Sequence, residues 1–166
     1  MAVKANSTVK DLGDLNGKAV ATTQGTTSDK YIKMGAKGEQ VKVTNVYGKD
    51  HSDSFAMVAS GRAAAFVMDD NILAGLIAKS SKPKDFKIVG PVLSSEPYGI
   101  MLPKGDTAYK AIADKVVTGM WKNGQMAALY KKWFQSPIPP KNINLNMPMS
   151  TSYNKLKAAP NDKGIN

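Results

Sequence analysis

Apolar and polar positions along this chain alternate between two periods. Lys18-Ala19-Val20-Ala21-Thr22-Thr23 is short, small and partly β-branched, and predicts a strand over 18–23. A polar run, Gln24-Gly25-Thr26-Thr27-Ser28-Asp29, separates it from Tyr31-Ile32, and threonine and serine at such a junction predict the start of a helix. Val41-Lys42-Val43-Thr44-Asn45-Val46 predicts a second strand. Phe55, Val58 and Ala59 fall at i, i+3 and i+4 in Ser52–Ala59, predicting a short helix that stops near Gly61. The continuous apolar run Ala63–Met68 predicts a strand covered on both faces, ending at Asp69-Asp70.

Ile72, Leu73, Leu76 and Ile77 mark one face of a further helix that reaches Ser80. Strands are expected over Phe86–Val92 and Tyr98–Leu102, and a helical turn over Asp11–Gly17 closes at a glycine. Two amphipathic helices come next, one lined by Tyr109, Ile112 and Val116, the other by Met126, Leu129, Tyr130, Trp133 and Phe134. From Gln135 the chain reads as an extended tail with a last short helix over Tyr153–Ala158. Strands alternating with helices over 18–102 predict an α/β fold: a mainly parallel sheet with helices on both faces, plus C-terminal helices.

Composition narrows the chemistry. With 166 residues the chain suits one domain, or one domain and part of another, and 42% apolar residues suffice for a core. No run reaches the roughly 18 apolar residues of a membrane span. Met1-Ala2-Val3-Lys4 has no apolar segment after it and is not a signal peptide. The absence of cysteine excludes disulfides, thiolate metal sites and cysteine nucleophiles. A net charge of +10 invites nucleic acid, but the lysines are scattered, with only Lys79, Lys82, Lys84 and Lys87 loosely clustered. No zinc-finger or aromatic RNA-binding pattern accompanies them, so the charge reads as a solvated basic surface and no nucleic-acid partner is expected.

Three polar clusters fall where strands end, the place where helix N-termini point their N–H groups outward. Gly25-Thr26-Thr27-Ser28 reads either as a helix cap or as an anion site, and no Walker lysine follows it, so a carboxylate is a fitting guest. His51 is the single histidine; a metal site would need more ligands, and a Ser–His–Asp triad would need a nucleophile elbow. Asp69 closes a buried strand and is placed to receive an ammonium group, while Asp70 reads as the cap of the next helix. Donors for one end and a carboxylate for an amine suit a zwitterion. No cofactor is implied.

Several runs carry a resemblance: Asp11-Leu12 with Leu15-Asn16-Gly17-Lys18, Gly25-Thr26-Thr27-Ser28, Lys49-Asp50-His51 with Asp53-Ser54-Phe55, Ser60-Gly61-Arg62-Ala63, Met68-Asp69-Asp70, Tyr98-Gly99-Ile100-Met101-Leu102, and Lys132-Trp133-Phe134 with Pro137-Ile138-Pro139-Pro140-Lys141-Asn142. Over nearly its whole length the chain resembles the acidic-amino-acid periplasmic binding proteins, the solute-binding subunits of amino-acid ABC importers. The resemblance implies two α/β lobes joined by hinge strands, with the amino acid held between them. Residues 4–97 would be the second lobe, 98–104 a hinge strand, and 105–166 the C-terminal part of the first lobe. About a hundred residues that build most of the first lobe, and that supply arginine and serine or threonine contacts, have no counterpart here.

The resemblance further implies that Thr26 and Thr27 donate to a ligand carboxylate, that His51 meets the side-chain carboxylate, and that Asp69 pairs with the α-ammonium. L-glutamate or L-aspartate is the implied ligand, weakly held or not at all by one side of a cleft. An ABC transporter permease is the implied partner and the periplasm the implied location. The helices at 105–134, lacking the rest of their lobe, are expected to self-associate or to move. Two other classes share the architecture: enzymes such as cyclic-acid dehydratases, for which Asp69 and His51 are the available acid–base pair, and ligand-binding domains of receptors.

Overall fold

In the computed structural model the described residues are 1–34, 41–140 and 142–163; residues 35–40, Lys141 and residues 164–166 lie outside them. The chain forms two compact units, Met1–Leu93 and Ser94–Asn166.

The first unit is built on five strands, β1 (Ala2–Lys4), β2 (Ala19–Thr23), β3 (Thr44–Gly48), β4 (Ala65–Phe66) and β5 (Phe86–Ile88), in the order β3-β2-β4-β1-β5. β2 pairs in parallel with β3 and β4, whereas β1 is antiparallel to both its neighbours, β4 and β5. Four strands therefore share one direction and the sheet is mixed. β1 was not expected from sequence: three residues are too few for a period, and only their partners Phe66, Ile88, Lys87 and Phe86 make them a strand.

Helices α1 (Thr27–Met34), α2 (His51–Ala59) and α3 (Asp70–Lys79) cover the two faces. Successive strand residues point to opposite sides. Val3, Val20 and Ala65 accordingly join Ile32 of α1, with Leu12 and Leu15 from the 3-10 turn, in one cluster. Their neighbours Ala2, Ala21 and Phe66 join Phe55 and Val58 of α2 and Leu73 of α3 in the other. Burial on both sides explains why these strands read as apolar runs without alternation.

Strand lengths differ from expectation. The run at 63–68 forms only two ladder residues, although Ala64 N–H donates to Ala19 O and Val67 N–H to Ala21 O, at 2.8 and 3.0 Å. Tyr98–Leu102 forms no strand: a strand exists only by pairing, and this segment has no ladder partner among the described residues. Tyr98, Ile100 and Met101 are exposed.

The second unit holds α4 (Thr107–Lys122), α5 (Gln125–Phe134) and α6 (Thr151–Ala158). Gly124, with φ at +84°, makes the turn between α4 and α5 in a conformation that suits glycine. Tyr130 is the centre of an aromatic cluster, 4.7 Å between ring centroids from both Phe134 and Tyr153, and Tyr153 lies 4.9 Å from Trp121. The stretch after Gln135 is not an extended tail. It folds back on α5, with Met147 N–H donating to Phe134 O, Gln135 Nε2 to Met147 O, and Ile138 bridging Ile143.

Gly48 ends β3 against the first turn of α2. A methyl group there would stand 2.3 Å from Ser54 N and 2.7 Å from Ser54 Oγ. The backbone must move to admit it, so Gly48→Ala is expected to lower stability by about 1–3 kcal/mol or more, read by urea unfolding. Unchanged stability would show that α2 does not depend on this close approach.

Candidate functional site

Connections between the parallel strands run in opposite directions. β2 leads through α1 outward to β3, while β4 leads through α3 past β1 to β5, at the other end of the sheet. β2 and β4 are neighbours, and α1 and α3 pack on opposite faces. Two adjacent strands whose connections diverge leave a crevice beyond their carboxyl ends, the usual ligand position of an open α/β sheet. The loop over 24–26 follows β2 and the Val67–Asp69 segment follows β4, so both lie at this edge of the sheet.

The loop after β2 is held by a buried carboxylate. Asp29 is 2% exposed, and its oxygens accept from Thr22 Oγ1 (3.3 Å), Gly25 N–H (3.3 Å), Lys33 Nζ (2.9 Å) and Tyr47 OH (3.1 Å). These donors come from β2, the loop, α1 and β3. Burial pushes the Asp29 carboxyl up, but Lys33, Gly25 and Tyr47 together outweigh it and hold the group below its ordinary value of 3.8. Sequence reasoning missed Asp29 as a functional position. Its signal was present: Thr26-Thr27-Ser28-Asp29 has the spacing of a capping box.

Thr26 caps α1. Its Oγ1 accepts from Asp29 N–H at 3.2 Å and donates to Thr23 O at 2.7 Å. The cap uses a lone pair, whereas the one hydroxyl proton is given to Thr23 O, and a donor role toward a ligand competes with that contact. Thr27 is the first residue of α1 and is exposed. Gly25, at φ +78°, turns the chain from the strand into the helix.

Asp50 caps α2 by accepting from Asp53 N–H at 2.8 Å, which makes His51 the first helical residue. The ring of His51 meets β2 directly: its Nδ1 is 2.8 Å from Thr23 Oγ1, and Thr23 Oγ1 is 3.3 Å from Ser54 Oγ. Thr23 was not singled out from sequence, nor was Ser54, although Ser54 is fully buried.

Asp69, half-buried, occupies the N-cap position of α3, and Asp70 is the first residue of that helix. The N-cap position expected at Asp70 is therefore one residue earlier, and the Asp69 side chain makes no cap hydrogen bond there. Asp70 Oδ1 accepts from Asn71 N–H at 2.8 Å, a local turn contact that cannot satisfy the end of the helix. Thr26, Thr27, His51 and Asp69 all follow the carboxyl ends of the three neighbouring strands β2, β3 and β4. Among the described residues no group of three or more acidic or histidine side chains is arranged to hold a metal ion.

No family model matches the chain. It is 46% identical over 160 residues to the L-glutamate/L-aspartate-binding protein of Pseudomonas aeruginosa, covering 96% of this chain and 53% of that protein. With the glutamate/aspartate import solute-binding protein of Escherichia coli it shares 40% identity over 166 residues, all of this chain and 55% of that protein. The chain thus spans about half the length of the relatives it matches. Among solved structures it superposes on an ancestral arginine-binding protein bound to glutamine with a TM-score of 0.64 and 35% identity, over 80% of this chain and 57% of that one. A substrate-binding protein of an amino-acid ABC transporter gives a TM-score of 0.65 at 25% identity, over 81% and 58%.

Replacing Asp29 by asparagine puts an amide donor among donors, and is expected to cost about 2–3 kcal/mol near neutral pH. Because the folded carboxyl is depressed, its stabilisation is complete above the unfolded value of 3.8 and is lost as pH falls through the folded one. Urea unfolding of both proteins near neutrality and at about pH 3 should therefore show the gap narrowing in acid. A gap independent of pH would mean that the carboxylate charge carries none of it.

Proposed function

The chain belongs to the family of amino-acid solute-binding proteins, and from that premise we propose that it binds an acidic amino acid, L-glutamate or L-aspartate, for delivery to an ABC importer in the periplasm. The observation that carries this reading is the divergence of connections at the neighbouring strands β2 and β4, with a helix N-terminus after one and a half-buried aspartate after the other. In this reading the opening of α1, at Thr26 and Thr27, takes a ligand carboxylate, helped by the N–H groups and the helix dipole. Asp69 takes the α-ammonium by charge-assisted hydrogen bonds. His51, reached from β3 on the far side of β2, takes the side-chain carboxylate. Such a site binds and releases; no bond of the ligand is made or broken.

Residues 4–97 act in this reading as the second lobe, 98–104 as the hinge and 105–166 as the C-terminal part of the first lobe. Hinge closure over the ligand would give the form that a transporter permease recognises. One side of a cleft lacks the opposing charge-assisted contacts, each of roughly 1.5–3 kcal/mol, so affinity falls by several decades.

Calorimetry with L-glutamate at micromolar concentration is expected to show no binding, while saturation-transfer NMR at millimolar concentration shows contact by L-glutamate and L-aspartate that Asp69→Asn removes. Contact that survives Asp69→Asn, or is as strong for L-arginine, would overturn the reading. A separate expectation concerns α4, where Tyr109, Ile112 and Val116 are 50%, 62% and 55% exposed on one face. Light scattering should find self-association driven by this face, reduced in Ile112→Glu; a monomer at all concentrations would refute it.

A further inference from the structure

The hydroxyl groups behind His51 form a chain in which one direction of donation turns every contact into a hydrogen bond. Ser54 is fully buried in α2, with Oγ 3.0 Å from Asp50 O and 3.2 Å from Thr22 O. Both partners are carbonyls and only accept, so the single Ser54 proton goes to them. In the arrangement that makes the 3.3 Å contact between Thr23 Oγ1 and Ser54 Oγ a hydrogen bond as well, Thr23 is its donor. Having one proton, Thr23 can only accept at its shorter contact, 2.8 Å to His51 Nδ1, and that nitrogen must carry a proton.

We propose that Thr23 and Ser54 fix a proton on Nδ1 of His51, so that the neutral ring presents a lone pair at Nε2 and only the imidazolium presents a donor there. Resting on the proposed function, this makes the residue pair a specificity device. An anionic side chain docking at Nε2 requires the second ring proton, so its binding takes up one proton from solution. A side-chain amide can donate to the lone pair of the neutral ring and takes up none. The charged groups on the surrounding elements are Lys49, Asp50 and Asp53 beside the ring, Asp29 with Lys33 beyond Thr22, and Asp69 after β4. Asp50 accepts from Asp53 N–H and Asp29 from its four donors, while the ring itself meets the hydroxyl relay at Nδ1.

The test is nitrogen-15 NMR of the histidine ring in this chain, followed through a pH titration and read at its high-pH plateau. The expected spectrum has the proton on Nδ1 and an unprotonated Nε2; a proton on Nε2 overturns the proposal. In Ser54→Ala the Thr23 proton is released to donate to Nδ1, so the tautomer should switch to Nε2–H, and Ser54→Thr should restore it. Retention of the Nδ1 proton in Ser54→Ala also overturns the relay, and Thr23→Val gives an independent check, with the same switch expected. L-glutamate at millimolar concentration should then add the second ring proton at a pH where the free ring is neutral, and L-glutamine should not. A neutral ring in the glutamate complex contradicts the coupling. Failure of both amino acids to reach the ring would instead count against the proposed function, while the ligand-free spectra still decide the tautomer.

Discussion

The first unit depends on a carboxylate that ought not to be buried alone. Asp29 sits almost wholly out of water, and a charge there is tolerated only because four donors converge on it. Those donors lie on two strands, the intervening loop and the next turn of α1, so satisfying the charge fixes their relative positions. The Thr26 cap and the positive φ of Gly25 follow from that anchoring. A loop of threonines and glycine that would otherwise have many conformations is thereby held in one. Lys33 is half-exposed, so its share of the attraction is screened by water, and the buried donors of Thr22, Gly25 and Tyr47 provide the fixed geometry.

Topology does the rest. Two crossovers that diverge from adjacent strands place the openings of α1 and α3 on either side of one crevice. Gly48 lets α2 close on the end of β3, which brings His51 within hydrogen-bonding distance of Thr23. Three polar clusters far apart along the chain thereby come to one edge of one sheet.

Much of this was legible in the sequence because the relevant signals are local. The α/β alternation, the helix opened by Thr26-Thr27-Ser28, and the helix lined by Phe55 and Val58 depend on spacings within a turn or two. What was not legible depends on partners far along the chain. β1 is a strand only through Phe66 and residues 86–88, whereas Tyr98–Leu102, equally strand-like in composition, joins no ladder among the described residues. Asp29 drew no reading of its own, since nothing local announces that Tyr47 will donate to it from another strand. Ser54 and Thr23 looked like unremarkable hydroxyls until the fold set them beside the ring. The tail after Gln135 was misread because its fold-back rests on side-chain amides bonding to the backbone, a pattern without periodicity.

The central claim is that the carboxyl edge of β3-β2-β4 is the ligand face. A residue-by-residue map of backbone amide shifts as L-glutamate is added to the chain tests it most directly. The account predicts changes confined to the residues after β2, β3 and β4, with Thr27, His51 and Asp69 among those that move and the Ser94–Asn166 unit unchanged. Shifts concentrated at the opposite end of the sheet, or in the helices of the second unit, would contradict it.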